Sequence, residues 1–122
     1  PGKRQIGVVD VDGRSAAFTG DNNIPWAGHI LGENFVAMGN VLAGPQVVEA
    51  IAEGFHDNED DILEERLIRA IEFGRDAGGQ PEGQTSAAIL TFGHQSASRC
   101  DLRVDVSEEP VKELRRIFDW FK

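Results

Sequence analysis

The first forty residues alternate between apolar and polar positions in short runs that are separated by turn residues. Such runs, rich in β-branched side chains, predict antiparallel strands joined as a meander. Pro25 ends the second turn and favours an extended conformation at Ile24. The pattern predicts four strands, at residues 5–10, 15–19, 26–31 and 35–38.

The pattern then changes to a helical period, beginning at Gly44-Pro45, which suit the cap and first turn of a helix. A second helix is predicted from about residue 60 to residue 75, before Gly78-Gly79, and Ser107 is predicted to cap a third. The inward faces are predicted to contain Val47, Val48, Ile51, Ala52 and Phe55, then Ile62, Leu63, Leu67, Ala70 and Ile71, and finally Val111, Leu114, Phe118 and Phe121.

Two further strands are predicted between the second and third helices, at residues 86–92 and 101–106, with a polar loop that contains His94, Ser96 and Ser98. The order is therefore four strands, two helices, two strands and one helix, which predicts an α+β fold with mostly antiparallel sheet. A length of 122 residues suits one domain. Nothing in the pattern closes the edge of the first strand, so we expect a sheet partner outside this chain.

Composition narrows the class of partner. The 21 acidic and 12 basic residues give a net charge of −9, which disfavours nucleic acid and anionic membrane surfaces. The single Cys100 cannot form an intrachain disulfide, and no apolar run is long enough for a membrane span. We expect a cytoplasmic protein and a homo-oligomer. Because the chain starts at Pro1, we also expect a processed product or a fragment.

Common motifs for cofactors and metals are missing from the sequence. Gly39 and Gly44 have the spacing of a phosphate loop, but Pro45-Gln46 follows where Lys and Ser or Thr are needed. The three histidines fall on different predicted elements, so we expect no metal site and no cofactor. The acidic run at residues 57–65 is predicted to be a solvated helix entry.

The segment at residues 24–29, Ile-Pro-Trp-Ala-Gly-His, combines residue types that a surface turn seldom needs together. Gly28 allows close backbone approach, so His29 is a candidate for presenting its ring to a site. The other interpretation is a structural histidine held by a hydrogen bond. Asn40 follows Gly39 at the end of the fourth predicted strand and is a second candidate.

Asp101, Arg103 and Asp105 alternate with apolar residues and therefore project from the same face of a strand. A solvated, ion-paired face is one interpretation. If the face is covered, an Arg between two carboxylates forms a well-held fork for a substrate carboxylate. The sequence leaves both open.

Two other nucleophile candidates are weak. Cys100 lies beside Asp101, which raises a thiol pKa, so a packing role is predicted for it. Catalysis by the Pro1 amine would need a buried strand start, whereas Gly2-Lys3-Arg4 predicts an exposed lead-in.

Several ordered motifs together resemble the C-terminal half of the domain-of-unknown-function 1028 family. They are Pro25-Trp26-Ala27-Gly28-His29, Gly39-Asn40-Val41-Leu42-Ala43-Gly44, Ser86-Ala87-Ala88 and Asp101-Leu102-Arg103-Val104-Asp105. The resemblance implies a four-layer αββα sandwich similar to the N-terminal-nucleophile hydrolases. In that class a Ser, Thr or Cys at the chain start attacks an amide and its own amino group is the base.

The resemblance also implies that the nucleophile lies in a preceding segment that this chain lacks, or on a partner chain that carries it. Residues 1–122 would then be a single domain or the C-terminal portion of a larger αββα domain. The chain departs from the family pattern at Glu82 and Thr85, where Arg and Gln are usual, and at Val106-Ser107, where an acid and a His are usual.

The resemblance therefore implies the C-terminal portion of a hydrolase-like αββα protein, an amidohydrolase acting on a small polar substrate. His29 and Asn40 are the predicted catalytic residues, with His29 positioning or shuttling a proton and Asn40 meeting a developing charge. Arg103 is predicted to hold a substrate carboxylate, with Asp101 orienting it. The alternative is a non-catalytic binding or assembly module.

Overall fold

The computed structural model describes residues 1–94 and 98–122, and within them the chain forms three β-hairpins and three helices. In chain order these are β1 (Gln5–Val9), β2 (Ser15–Thr19), β3 (Gly28–Gly32), β4 (Phe35–Gly39), α1 (Pro45–His56), α2 (Leu63–Asp76), β5 (Ala87–Phe92), β6 (Ser98–Val104) and α3 (Pro110–Phe121). Each hairpin is antiparallel. The predicted order of elements and the α+β class are confirmed.

Two elements begin later than predicted. β3 starts two residues late because the backbone of Trp26 instead exchanges hydrogen bonds with Leu42, at 3.1 and 3.0 Å. α2 starts at about three residues past the predicted position because residues 57–61 form turns, one of them closed by the Asp61 amide and the Asn58 carbonyl. In both places a loop satisfies the backbone groups that a longer element would have used.

The last helix and the loop before it bring further corrections. Ser107 does not cap α3, which begins after Glu109; the Ser107 hydroxyl accepts the Glu109 amide, 3.1 Å away, in the turn before the helix. Phe121 is 52% exposed rather than inward-facing. Ser98 belongs to β6, and Ser96 lies outside the described residues.

The first two hairpins stack face to face. The Ser15 hydroxyl donates to the Gly32 carbonyl at 2.7 Å, and a side chain at Gly7 would meet Met38 and Val36 at 3.1–3.2 Å. α1 covers the other face of β3–β4 and packs against α2. The result is a helix, sheet, sheet stack, an arrangement compatible with part of an αββα sandwich.

A second packed region joins β5–β6 to α2 and α3. Its buried core consists of Ile68, Ile89, Cys100, Val104, Leu114 and Phe118. α1 packs on β3–β4, α2 packs on β5, and the two helices pack against each other as one layer. The face of each hairpin that has no helix on it therefore points away from this layer. β1–β2 covers that face on β3–β4, whereas on β5–β6 Leu90 and Phe92 are more than half exposed.

The acidic run is not fully solvated, so that prediction is wrong for its last two residues. Glu64 is 5% exposed and accepts hydrogen bonds from the Thr91 hydroxyl and from Arg99 Nε, the latter at 2.8 Å. The Glu65 side chain is 17% exposed and pairs with Arg115. Both lie in the first turn of α2, on the side that faces β5 and α3.

Glu64 links stability to pH. Burial by itself raises its pKa, but the hydrogen bonds from Thr91 and Arg99 outweigh burial and hold the pKa below the ordinary 4.5. Folding therefore favours the carboxylate, and its contribution is present above pH 4.5 and is lost as pH falls through the folded pKa.

We expect the free energy of unfolding to fall on acidification below about pH 4.5, and to fall less steeply in Glu64→Gln. Asp10, Glu65 and Glu113 also have lowered pKa values, so the variant keeps part of the dependence. Urea unfolding of both proteins at several pH values measures the difference. Parallel stability curves for the two proteins would contradict the assignment.

Candidate functional site

His29 and Asn40 are connected by a chain of hydrogen bonds that runs through two residues of the β1–β2 hairpin. Thr19 Oγ1 lies 2.8 Å from His29 Nδ1, and Gln5 Nε2 donates to Thr19 Oγ1 at 3.1 Å. Asn40 Nδ2 donates to Gln5 Oε1 at 3.0 Å. Gln5, Thr19 and His29 are half-buried and Asn40 is exposed, so the network runs from between the sheets to the surface.

Strand register explains why these residues meet. Gln5 pairs with Thr19 across β1–β2, so both side chains lie on the same face, the one that meets β3–β4. His29 pairs with Met38 across β3–β4, on the face that meets β1–β2. β1 and β3 begin, and β2 and β4 end, beside this network, which therefore occupies one end of the stacked hairpins.

Gln5 also joins the two hairpins directly. Its Nε2 lies 3.0 Å from the Gly39 carbonyl and 3.3 Å from the Gly28 carbonyl. Because the NH₂ group has two hydrogens, the two carbonyls share one and Thr19 Oγ1 accepts the other. Sequence reasoning did not single out Gln5 or Thr19. The available signal was that both are polar and pair across a hairpin whose opposite face is apolar.

The loop around Asn40 is held in a strained form. Val41 has a φ of 56°, a left-handed conformation that a β-branched residue seldom adopts. Its amide donates to the Ile24 carbonyl at 2.9 Å, next to the paired backbones of Trp26 and Leu42. Ile24 and Trp26, in the unusual segment at residues 24–29, thus clamp the loop that carries Asn40 through backbone hydrogen bonds. Strain of this kind, of order 1–3 kcal/mol, is typical of functional sites.

Substitution at Gly28 tests this clamp. A Cβ at Gly28 would overlap the Trp26 ring, with Cζ2 at 2.8 Å. We expect Gly28→Ala to lower the free energy of unfolding by about 1–3 kcal/mol through overpacking. Gly93→Ala is the control, because a Cβ there meets none of the described residues within 4 Å, and it should stay within about 0.5 kcal/mol of wild type. Equal urea midpoints for the two variants would refute the clamp.

Asp101 and Arg103 lie apart from this network. β6 pairs with β5, and α3 packs on one face of this hairpin. Asp101 and Arg103 both project from the opposite, outer face. Arg103 Nη2 is 3.2 Å from Asp105 Oδ2, both side chains are exposed, and this hydrogen bond raises the pKa of Arg103. Among the described residues no hydrogen bond or ion pair joins them to His29 or Asn40. The structure thus brings together two of the four predicted residues, His29 and Asn40. In this chain the face of β6 that carries Arg103 is exposed and ion-paired, which is the first of the two interpretations given above.

The other nucleophile candidates do not lie at this site. Cys100 is buried in the second core, and burial, followed by the charges of Glu64 and Asp101, raises its pKa, which confirms the predicted packing role. Pro1 is exposed and precedes β1. A separate cavity of about 210 Å³ between α1, α2 and β5 is lined mainly by apolar side chains, and none of the four predicted site residues lines it.

Comparison with known proteins settles the family. A family model described as "Family of unknown function (DUF1028)" matches residues 1–114. The chain belongs to this family. The crystal structure of the DUF1028 protein SPO2555 from Silicibacter pomeroyi is similar, with 29% sequence identity and a TM-score of 0.82. The match covers 95% of this chain and 51% of that one, so the chain spans about half the length of its solved relative.

A search of curated proteins gave no match. The DUF1028 description names no activity, so the resemblance is confirmed for the family and the hydrolase inference remains a proposal. In the part of the chain that the structure describes, no helix has the length and apolar character that a membrane crossing requires.

Proposed function

We propose that this chain forms one wall of an amide-hydrolysing site for a small polar substrate, with the nucleophile carried by a segment outside these residues or by a partner chain. One observation carries the proposal: the network Asn40, Gln5, Thr19 and His29 leads from the space between two stacked hairpins to their open end. It joins two predicted catalytic residues, His29 on β3 and Asn40 directly after β4.

Each group has a role that its chemistry allows. Asn40 offers a side-chain amide beside a strained loop, and a fixed amide N–H stabilises the negative charge that develops on a carbonyl oxygen during acyl transfer. His29 is a ring held by a hydrogen bond at its Nδ1, which is how an imidazole is oriented for contact with a substrate. The half-buried position of His29 strengthens its interaction, because water competes less there.

The rest of the site would come from the part of the fold that this chain does not span. The solved relative is about twice as long as the matched region. The helix-free face of β5–β6, with Asp101 and Arg103, lies on the same side as the face of β3–β4 that β1–β2 covers. A sheet continuing β1–β2 would cover Arg103, and we propose that Arg103, oriented by Asp101, would then hold a substrate carboxylate.

A specific observation also favours the second candidate, a binding or assembly module. Ile6, Val8 and Phe18 share the outer face of β1–β2 and are each about half exposed. Exposed apolar sheet faces of this kind mark contact surfaces. The same surface fits either the further half of the αββα fold or another protein chain, a second copy included.

The deciding experiment uses the native protein, isolated with any further segment that it carries, and the 122-residue chain expressed alone. Both are incubated with small carboxamides, acylated amino acids and dipeptides, and released amine is measured. We expect hydrolysis by the native protein and none by the short chain. Hydrolysis by the short chain would refute the external nucleophile. Binding of these compounds by the native protein without turnover would favour the binding module.

A further inference from the structure

We propose that Gln5 and Thr19 are positioning residues that set the tautomer of the neutral His29 ring, with the proton on Nε2, so that His29 presents an N–H donor. The inference deepens the proposed function and rests on it only for its meaning in catalysis. The hydrogen bonds that support the inference all lie within this chain and do not depend on what the protein hydrolyses.

The donor and acceptor roles along the network can be assigned by starting from two backbone carbonyls, which can only accept. The carbonyls of Gly39 and Gly28 lie 3.0 and 3.3 Å from one end of the Gln5 amide, so that end must be the NH₂ group. The opposite end, Oε1, is then an acceptor, and Asn40 must turn its own NH₂ toward it. Two backbone carbonyls thereby fix the orientation of both amide side chains.

The direction continues through Thr19. Its Oγ1 lies 3.1 Å from the same Gln5 Nε2 and accepts an N–H from it. We assign the proton of the hydroxyl to His29 Nδ1, 2.8 Å away, because among the described side-chain partners of Oγ1 it is Nδ1 that can accept a hydrogen bond. An imidazole nitrogen that accepts carries no proton, so in the neutral ring the proton resides on Nε2.

This assignment selects between the two roles predicted for His29. A ring protonated at Nε2 donates a hydrogen bond from that atom and does not withdraw a proton with it. The network that holds His29 contains an amide, a hydroxyl and a second amide, all uncharged. Neutral donors suit the carbonyl oxygen of an uncharged amide, so we infer that His29 binds the substrate carbonyl.

The test is the histidine spectrum of the ¹⁵N-labelled native protein, recorded without substrate at about pH 8, above the ordinary histidine pKa of about 6.5. Long-range ¹H–¹⁵N correlations distinguish the two neutral tautomers, and loss of a signal set in His29→Gln assigns His29. We expect the Nε2–H pattern. An Nδ1–H pattern would overturn the proposal whatever the protein hydrolyses, and absence of hydrolysis would leave the tautomer result intact.

Variants test whether Thr19 and Gln5 set the tautomer. Thr19→Val removes the hydroxyl and should give a mixed pattern, whereas Thr19→Ser should restore the wild-type pattern. Gln5→Glu replaces the donor with an acceptor, so the Thr19 proton should turn toward Glu and His29 should shift to Nδ1–H. Circular dichroism identifies folded variants. An unchanged Nε2–H pattern in any folded Thr19→Val or Gln5→Glu protein would overturn the positioning role, and the wild-type spectrum decides the tautomer by itself.

Discussion

Replacing Asn40 by alanine in the native protein is expected to lower kcat for amide hydrolysis about 10²–10³-fold, the range for loss of one side-chain donor to a developing oxyanion. The effect on KM should be smaller, because the hydrogen bond strengthens as negative charge grows on the carbonyl oxygen. Asn40 is exposed, and within residues 1–94 and 98–122 its side chain forms one hydrogen bond, to Gln5, so stability should change little. Steady-state kinetics with the best substrate of the amide panel measure both constants.

Asn58→Ala is the matched control, because Asn58 is an exposed asparagine on the turn after α1 and lies outside the network. It should keep the wild-type kcat. Asn40→Asp should lose at least as much activity as Asn40→Ala, since a carboxylate repels the developing negative charge. A kcat for Asn40→Ala within about twofold of wild type would rule out a role for Asn40 in the transition state.

Phe118→Ala is expected to lower the free energy of unfolding by about 3–5 kcal/mol, the usual cost of removing a buried aromatic side chain. Phe118 is 1% exposed and belongs to the core that joins α2, α3 and the β5–β6 hairpin. The loss combines the transfer free energy of the ring with the cavity left between α3 and that hairpin.

Trp120→Ala on the same helix is the control, because Trp120 is 87% exposed. It should change the free energy of unfolding by no more than about 0.5 kcal/mol. Urea titrations monitored by far-ultraviolet circular dichroism compare the two variants. If Trp120→Ala cost as much as Phe118→Ala, the packing of α3 described above would be wrong.

Local pattern was sufficient to predict the elements and most inward faces. Val47 and Val48 on α1 and Leu114 on α3 belong to the predicted apolar faces of their helices and are buried as expected. Ile62 and Phe121 were also predicted to face inward but are 57% and 52% exposed. Ile62 precedes the first residue of α2, and the last turn of α3 extends beyond the core on which the helix packs. Glu64 was expected in solvent because charge pattern alone cannot show that Thr91 and Arg99, distant in sequence, supply its partners.

The candidate site, too, could be predicted only in part from local sequence. Unusual local composition was enough to select His29 and Asn40. Gln5 and Thr19, which connect them, were missed because their role depends on one hairpin stacking on another, and period-two alternation does not specify which surfaces stack. For the same reason the alternation at Asp101 and Arg103 predicted a shared face without showing what covers it.

The most direct test of the central claim is a crystal structure of the native protein with a substrate amide or its carboxylate product bound. We expect the acyl oxygen within about 3 Å of the Asn40 side-chain amide or of His29 Nε2, at the open end of the stacked hairpins. A ligand bound instead in the cavity between α1, α2 and β5, with the network unoccupied, would contradict the proposed site.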